Sequence, residues 1–231
     1  MSTLPRLERT RTSDSVFSVL RESILTRVFR PGERLDVKTL AGELGVSSTP
    51  VKDAINRLVS EGLIDVRPRS GTFVAEITPE AVAEAFEIRR ALECLAAERL
   101  VERLTPELLK RLTNLIEDLE RPIKSAADMS EHERKNAALH ALIVEASGNR
   151  RLLELYRSLD AHLTIARIHA RRQPDARRFE KERQEHRAIL AAIKAGDADR
   201  LVRVLGNHIR QAGRALVEDV TRGQAPATKA G

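Results

Sequence analysis

The sequence predicts a mostly α fold in two parts: three short helices closed by a small β-hairpin, then an antiparallel all-helical bundle. Three observations carry this. Apolar residues recur at helical spacing along most of the 231 residues, broken by one short region of β pattern. Capping residues (Ser, Thr, Asp) and stopping residues (Gly, Pro) punctuate that pattern at intervals suited to helices. Hydrophobic residues make up 42% and charged residues 32%, which is apolar enough for a sizeable core. The length exceeds that of a typical single domain, which favours two.

In the first part, Asp14 to Val28 places Phe17, Leu20, Ile24 and Val28 at helical spacing, with Ser13 as cap and Pro31-Gly32 as stop. Asp36 to Leu44 reads as a second helix burying Leu40, Ala41 and Leu44, with Gly45 as its left-handed terminator. Ser47-Ser48-Thr49-Pro50 restarts the chain, its hydroxyls expected to accept the free amides of a third helix running to about Glu61. Leu63 to Val66 and Thr72 to Ala75 then read as two strands around the turn Arg67 to Gly71.

From residue 77 to 222 the pattern is all helix. Thr78-Pro79 opens a helix to about Arg103, and Thr105-Pro106 another to about Leu119. Arg121 to Met129 reads as a loop, after which Ser130 and Glu133 form a capping-box pair for a helix ending at Gly148. Asn149 starts a helix through about Ala170, Pro174-Asp175 one that ends at Gly196, and Asp197 caps the last, to about Asp219. The expected domains are a flexible N-terminus (1–12), the three-helix-and-hairpin unit (13–76), the helical unit (77–222) and a disordered tail (223–231).

Composition excludes several classes of function. Aromatics are 3% with no Trp, which argues against proteins that stack single-stranded bases. The single cysteine, Cys94, rules out an intrachain disulfide and a Cys-cluster zinc finger. No apolar run has the length of a membrane span and Met1 to Thr12 lacks an apolar signal core, so a cytoplasmic protein is expected. The net charge of +6 is spread evenly: residues 1–76 carry 12 basic and 10 acidic side chains, and 77–231 carry 28 and 24. Net charge permits DNA binding without arguing for it.

Three helices and a hairpin describe a winged helix-turn-helix with a small β-hairpin wing, whose third helix can enter a major groove while the hairpin reaches flanking DNA. The segments RPGERL, LAGELGVSSTPVKDAINRLVSEGLI and RSGTFV resemble the DNA-binding domain of the GntR family of bacterial transcription regulators. The resemblance implies DNA contacts from Arg34, from Ser47, Ser48, Thr49, Lys52 and Asn56 on the third helix, and from Arg67, Arg69 and Gly71 in the wing. Relatives commonly carry Arg where this chain has Ser48 and Lys52, so the bidentate guanine-reading fork is missing at both positions. The alternative is a winged helix used only for protein contacts, in which Lys52, Arg67 and Arg69 are ordinary solvated charges.

In the helical part, His140, His186 and His208 sit on or beside apolar stripes, and Asn136 lies one turn before His140. Three helices converging their histidines would suit a divalent ion such as Zn or Ni, because neutral imidazole is a good ligand for both. Taken alone, three scattered histidines are more often satisfied core or surface residues. However, NAALHALIVEASGNRRL, EHRAILAAIKAGDADRL and His208 resemble the metal-binding type of FadR C-terminal effector domain. That resemblance implies a metal site at Asn136, His140, His186 and His208, with Asn136 standing where Asp is usual. It also places Arg89, in EAFEIRRALECLA, towards an anionic effector, with a surface or ion-pair role as the even alternative. His132, His162 and His169 are expected to be structural or exposed, and the basic run Arg167 to Arg183 a solvated face.

The resulting expectation is a homodimeric, metabolite-responsive repressor, not an enzyme. It would bind a palindromic double-stranded DNA operator under control of a small carboxylate effector, without membrane association. The rival is a helical-bundle metalloenzyme. The Glu-x-x-His pairs of a di-iron site are absent, which counts against it.

Overall fold

A computed structural model of the chain describes residues 10–26, 28–76, 78–169 and 175–224. The chain divides into two compact units, residues 1–77 and 78–231.

The first unit contains α1 (Thr10–Leu25), β1 (Arg34–Leu35), α2 (Val37–Glu43), α3 (Ser48–Ser60), β2 (Ile64–Arg67) and β3 (Gly71–Val74). Helix α1 begins before the expected start, so residues 10–12 are helical and not a flexible lead. It also ends three residues before Val28, where the Thr26 hydroxyl donates back to the Glu22 carbonyl at 2.7 Å as the chain turns away. Asp36 caps α2 by accepting the Thr39 N–H at 2.8 Å, and Gly45 follows at φ +65°. Ser47 occupies the cap position of α3, yet its side chain makes no capping hydrogen bond, contrary to the expectation from the hydroxyl run. Leu20 and Ile24 of α1 pack with Val51 and Leu58 of α3 over Leu63, Ile64 and Val74, all buried.

The sheet has three strands in the order β1-β3-β2, all antiparallel. The third strand, β1, was not expected. It is two residues long, Arg34 opposite Phe73 and Leu35 opposite Thr72, too short to show a period of two. The wing turn places Arg69 at φ +64°.

The second unit contains α4 (Pro79–Glu102), α5 (Pro106–Leu119), α6 (Ala126–Ala146), α7 (Arg150–His169), α8 (Ala176–Ala195) and α9 (Ala198–Gln224). Thr78 and Thr105 cap α4 and α5, each with Pro in the first turn. Helix α6 starts earlier than expected because the capping box is formed by Ser125 and Asp128, not Ser130 and Glu133. The Ser125 hydroxyl accepts from the Asp128 N–H at 3.1 Å, and the Asp128 carboxylate accepts the Ser125 N–H at 2.9 Å. At the other end, α9 runs on through Gly223 and Gln224, so those two do not belong to a disordered tail; residues 225–231 lie outside the described residues.

Helix α4 packs against α6, α7 and α9. Its contact with α9 is close because Gly213 has no Cβ: one placed there would meet the Phe86 ring 2.8 Å away. This approach brings the inner faces of α4, α6, α8 and α9 around one polar centre.

Candidate functional site

Each helix contributes to that centre at a defined turn. Helix α4 supplies Arg89 and, one turn on, Glu93; α6 supplies Asn136 and His140 at the same spacing. Helix α8 supplies Glu185 and His186, and α9 supplies His208 and Gln211. Glu93 and His140 are fully buried, and Arg89, His186 and His208 are at most 2% exposed. Nitrogen atoms of the three histidines lie within 4.8 Å of one another.

Two carboxylates fix the rings. Glu93 Oε1 accepts from Arg89 Nε at 2.6 Å, and its Oε2 lies 2.6 Å from His140 Nδ1. Burial pushes the Glu93 carboxyl up, but Arg89 and His140 outweigh it and hold the group well below the usual carboxylate range. An ionised carboxylate only accepts, so the proton of neutral His140 sits on Nδ1 and Nε2 presents a lone pair. Glu185 Oε2 lies 2.8 Å from His208 Nδ1 and orients that ring in the same way. The two Nε2 atoms then face each other at 3.2 Å. Burial also drives the pKa of His140 down to about 4, and burial with the neighbouring His208 takes His186 well below the ordinary imidazole value. Facing nitrogens this close are held together by a proton or a cation shared between them.

His186 adds to that demand, since both its ring nitrogens are buried without a hydrogen-bond partner, as is Asn136 Oδ1. A cavity of about 130 Å³ adjoins the cluster, lined among others by Phe86, Arg89, Asn136, Glu185, His208 and Gln211. The set His140, His186 and His208 is thus brought together, with Asn136 on the wall of the same cavity. Arg89 lines the cavity and pairs internally with Glu93, so the ion-pair role considered for it is present.

Glu93, Glu185 and Gln211 were not anticipated. For Glu93 a signal existed: its i,i+4 spacing from Arg89 is that of a helical ion pair. His132 is buried, 3.4 Å from Glu182 Oε1 and edge-on to Phe179, as suits a structural residue. The side chains of His162 and His169 lie outside the described residues. The basic run is not uniformly solvated: Arg178 lines the cavity and pairs with Asp219 at 2.7 Å. Its members from 167 to 174 are likewise outside the described side chains.

In the first unit, Ser48, Lys52 and Asn56 recur every fourth residue along α3, and Lys52 and Asn56 are exposed. Ser47 and Thr49 are exposed at its start. In the wing, the Arg34 side chain crosses Gly71: a Cβ there would lie 3.0 Å from Arg34 Nε, and Gly71 adopts φ +126°. Arg67 stacks over Phe73 at 4.7 Å and reaches Glu76 at 3.3 Å, while Arg69 is exposed at the tip.

Two family descriptions match these units. "Bacterial regulatory proteins, gntR family" covers residues 12–74, and "FCD domain" covers residues 84–211. An uncharacterised HTH-type transcriptional regulator of Bacillus subtilis, YdhC, is 31% identical over 77% of this chain and 79% of its own length. The gluconate operon transcriptional repressor of Bacillus licheniformis is 27% identical over 86% of this chain and 82% of its own. Among solved structures, that of E. coli McbR/YncC superposes with a TM-score of 0.70 at 27% identity, covering 90% of this chain and 97% of that one.

Proposed function

Since the chain belongs to the gntR family of bacterial regulatory proteins and carries an FCD domain, we propose that it is a repressor controlled by a small carboxylate effector. Membership makes it a DNA-binding transcriptional regulator and sets the metalloenzyme reading aside. The sign of regulation is inferred from the printed name of the Bacillus licheniformis relative. Arg34, Ser47, Ser48, Thr49, Lys52 and Asn56 would contact the operator, together with Arg67, Arg69 and Gly71 in the wing. A homodimer would place two such units on a palindrome, and the protein would act in the cytoplasm. Among the described residues no helix is long and apolar enough to cross a membrane.

For the helical unit, we infer that His140, His186 and His208, with Asn136, hold a divalent ion of the Zn or Ni class. The observation that carries this is the pair of Nε2 atoms 3.2 Å apart, each on a ring whose Nδ1 faces a carboxylate. Bound there, the ion would supply positive charge and an open coordination position for an anionic ligand in the adjoining cavity. Arg89 would supply a second cationic contact on the wall. Ligand binding could shift the DNA-binding equilibrium only by the difference in affinity of the ligand for the two states.

Metal content per chain and melting temperature, measured with and without added Zn2+ on untagged protein, test the site. Wild type is expected to carry metal and to gain stability on loading. His140→Ala, His186→Ala and His208→Ala should lose the metal and the Zn2+-dependent part of the melting shift. Asn136→Asp adds the missing negative charge and should tighten Zn2+ by about tenfold or more, while weakening a competing anionic effector. A wild type that takes up neither Zn2+ nor Ni2+ returns the histidines to a structural role.

A further inference from the structure

Helix α4 turns one face, with Phe86, Arg89, Glu93 and Leu100, into its own unit. The opposite face of an ordinary amphipathic helix is polar, and here it is not. Ile88 and Leu95 are 54% and 43% exposed, and between them Ala91 is exposed and Leu92 half-buried. At 3.6 residues per turn these four positions, with Glu84 before them and Arg99 after, fall within an arc of about 100°. A lone exposed Ile or Leu needs no explanation. An apolar stretch on one arc, closed by a charge at each end, has the layout of an interface with an apolar core and a polar rim. Glu84 and Arg99 are both exposed, and among the described residues neither is in an ion pair.

The face is also complementary to itself. Glu84 and Arg99 stand equally far from the midpoint between Ala91 and Leu92, and so do Ile88 and Leu95. A second copy of α4, laid antiparallel on the first about a two-fold axis through that midpoint, sets Ile88 against Leu95 and Glu84 against Arg99. Each contact then occurs twice, as an isologous interface requires. A parallel pairing would oppose Glu84 to Glu84 and Arg99 to Arg99, so the charges select the antiparallel one.

We propose that two copies of this chain associate through the outer faces of α4, antiparallel about a two-fold axis between Ala91 and Leu92. The inference rests on the homodimer reading, and it adds the surface, the direction and the register.

The test is sedimentation equilibrium of the full-length chain. Wild type is expected to dimerise. Glu84→Arg opposes two pairs of arginines and Arg99→Glu two pairs of glutamates, so each alone should weaken self-association by about tenfold or more. Both positions are exposed, so the far-UV circular dichroism of each variant should match that of wild type. An equal mixture of the two single variants should form a heterodimer of near wild-type affinity, because each Arg then meets a Glu. The double variant Glu84→Arg with Arg99→Glu should dimerise for the same reason. Ile88→Asp with Leu95→Asp should be monomeric. A wild-type dimer whose strength none of these changes alters overturns the inference and leaves the homodimer reading intact. So do weakened single variants whose mixture stays monomeric, because the two charges then do not meet. A monomeric wild type overturns the homodimer reading, and this inference with it.

Discussion

Arg89 and Glu93 lie one turn apart on α4, both buried, 2.6 Å apart, and Glu93 also holds His140. Arg89 is therefore part of the support of the histidine cluster, and it also lines the adjoining cavity. Arg89→Ala should abolish the effector response, and it should also cost stability. Removing one member of a buried ion pair leaves the other charge uncompensated, a loss of about 3–5 kcal/mol. The double change Arg89→Met with Glu93→Gln removes both charges and should recover much of that loss. Urea denaturation of the three proteins measures both effects; equal stability of wild type and Arg89→Ala would show that the pair carries no structural weight. The histidines set the pH response. The folded state holds His140 neutral down to about pH 4, and His186 is depressed in the same direction, chiefly by burial. The unfolded chain takes up these protons near pH 6.5. Between those values the unfolded state binds more protons, so stability is full above about 6.5 and falls towards 4, by up to about 1.4 kcal/mol per pH unit for each histidine. Melting temperature followed from pH 8 to 4 should be level at first and then decline across that window. Added Zn2+ should move the decline to lower pH, since protonation and metal binding compete.

Helix α3 shows how an element can carry a family's shape while altering its chemistry. Its apolar face, Val51, Ala54, Ile55 and Leu58, is buried and holds the helix in the unit. The opposite face carries Ser48, Lys52 and Asn56 in a row. Lys is a flexible point charge where an Arg fork would read guanine, so Lys52 suits a phosphate better than a base edge. Lys52→Ala should weaken operator binding and lower the slope of log K against log salt by about one. Ser48→Arg restores a fork and should change the sequence recovered by selection. Identical motifs for the two proteins, with an unchanged salt slope for Lys52→Ala, would place this face away from the bases and backbone. The departures in α6 and β1 also belong to this scale. Ser130 and Glu133 have the spacing of a capping box, as do Ser125 and Asp128, and local pattern does not rank them. The chain chose the earlier pair because Asp128 also accepts the Lys124 N–H at 2.9 Å, which settles two backbone donors at once.

For the molecule as a whole, one winged helix reads only a few base pairs, so a regulator with a defined operator needs two. The full-length chain is expected to sediment as a dimer and to protect two half-sites about one helical turn apart, arranged as a palindrome. A monomer at micromolar concentration, or a footprint of a single half-site, would contradict this. Much of this architecture was legible in the sequence. The punctuation by Thr78-Pro79, Thr105-Pro106, Gly45 and Gly196 marks helix ends because capping and left-handed geometry are local properties of a few residues. The candidate ligands His140, His186 and His208 were legible too, through apolar periodicity and motif resemblance. What only tertiary structure decided is how the polar groups pair. Arg89 could have faced a ligand or a carboxylate, and the packing of α4 against α6 and α9 pairs it with Glu93 on the wall of the cavity. Glu93 carries no sign in its spacing that it would hold His140, 47 residues away, nor Glu185 that it would hold His208. Periodicity tells which side of a helix turns inward. The partner that a buried charge meets there depends on the rotation and separation of neighbouring helices, which side chains distant in sequence set together.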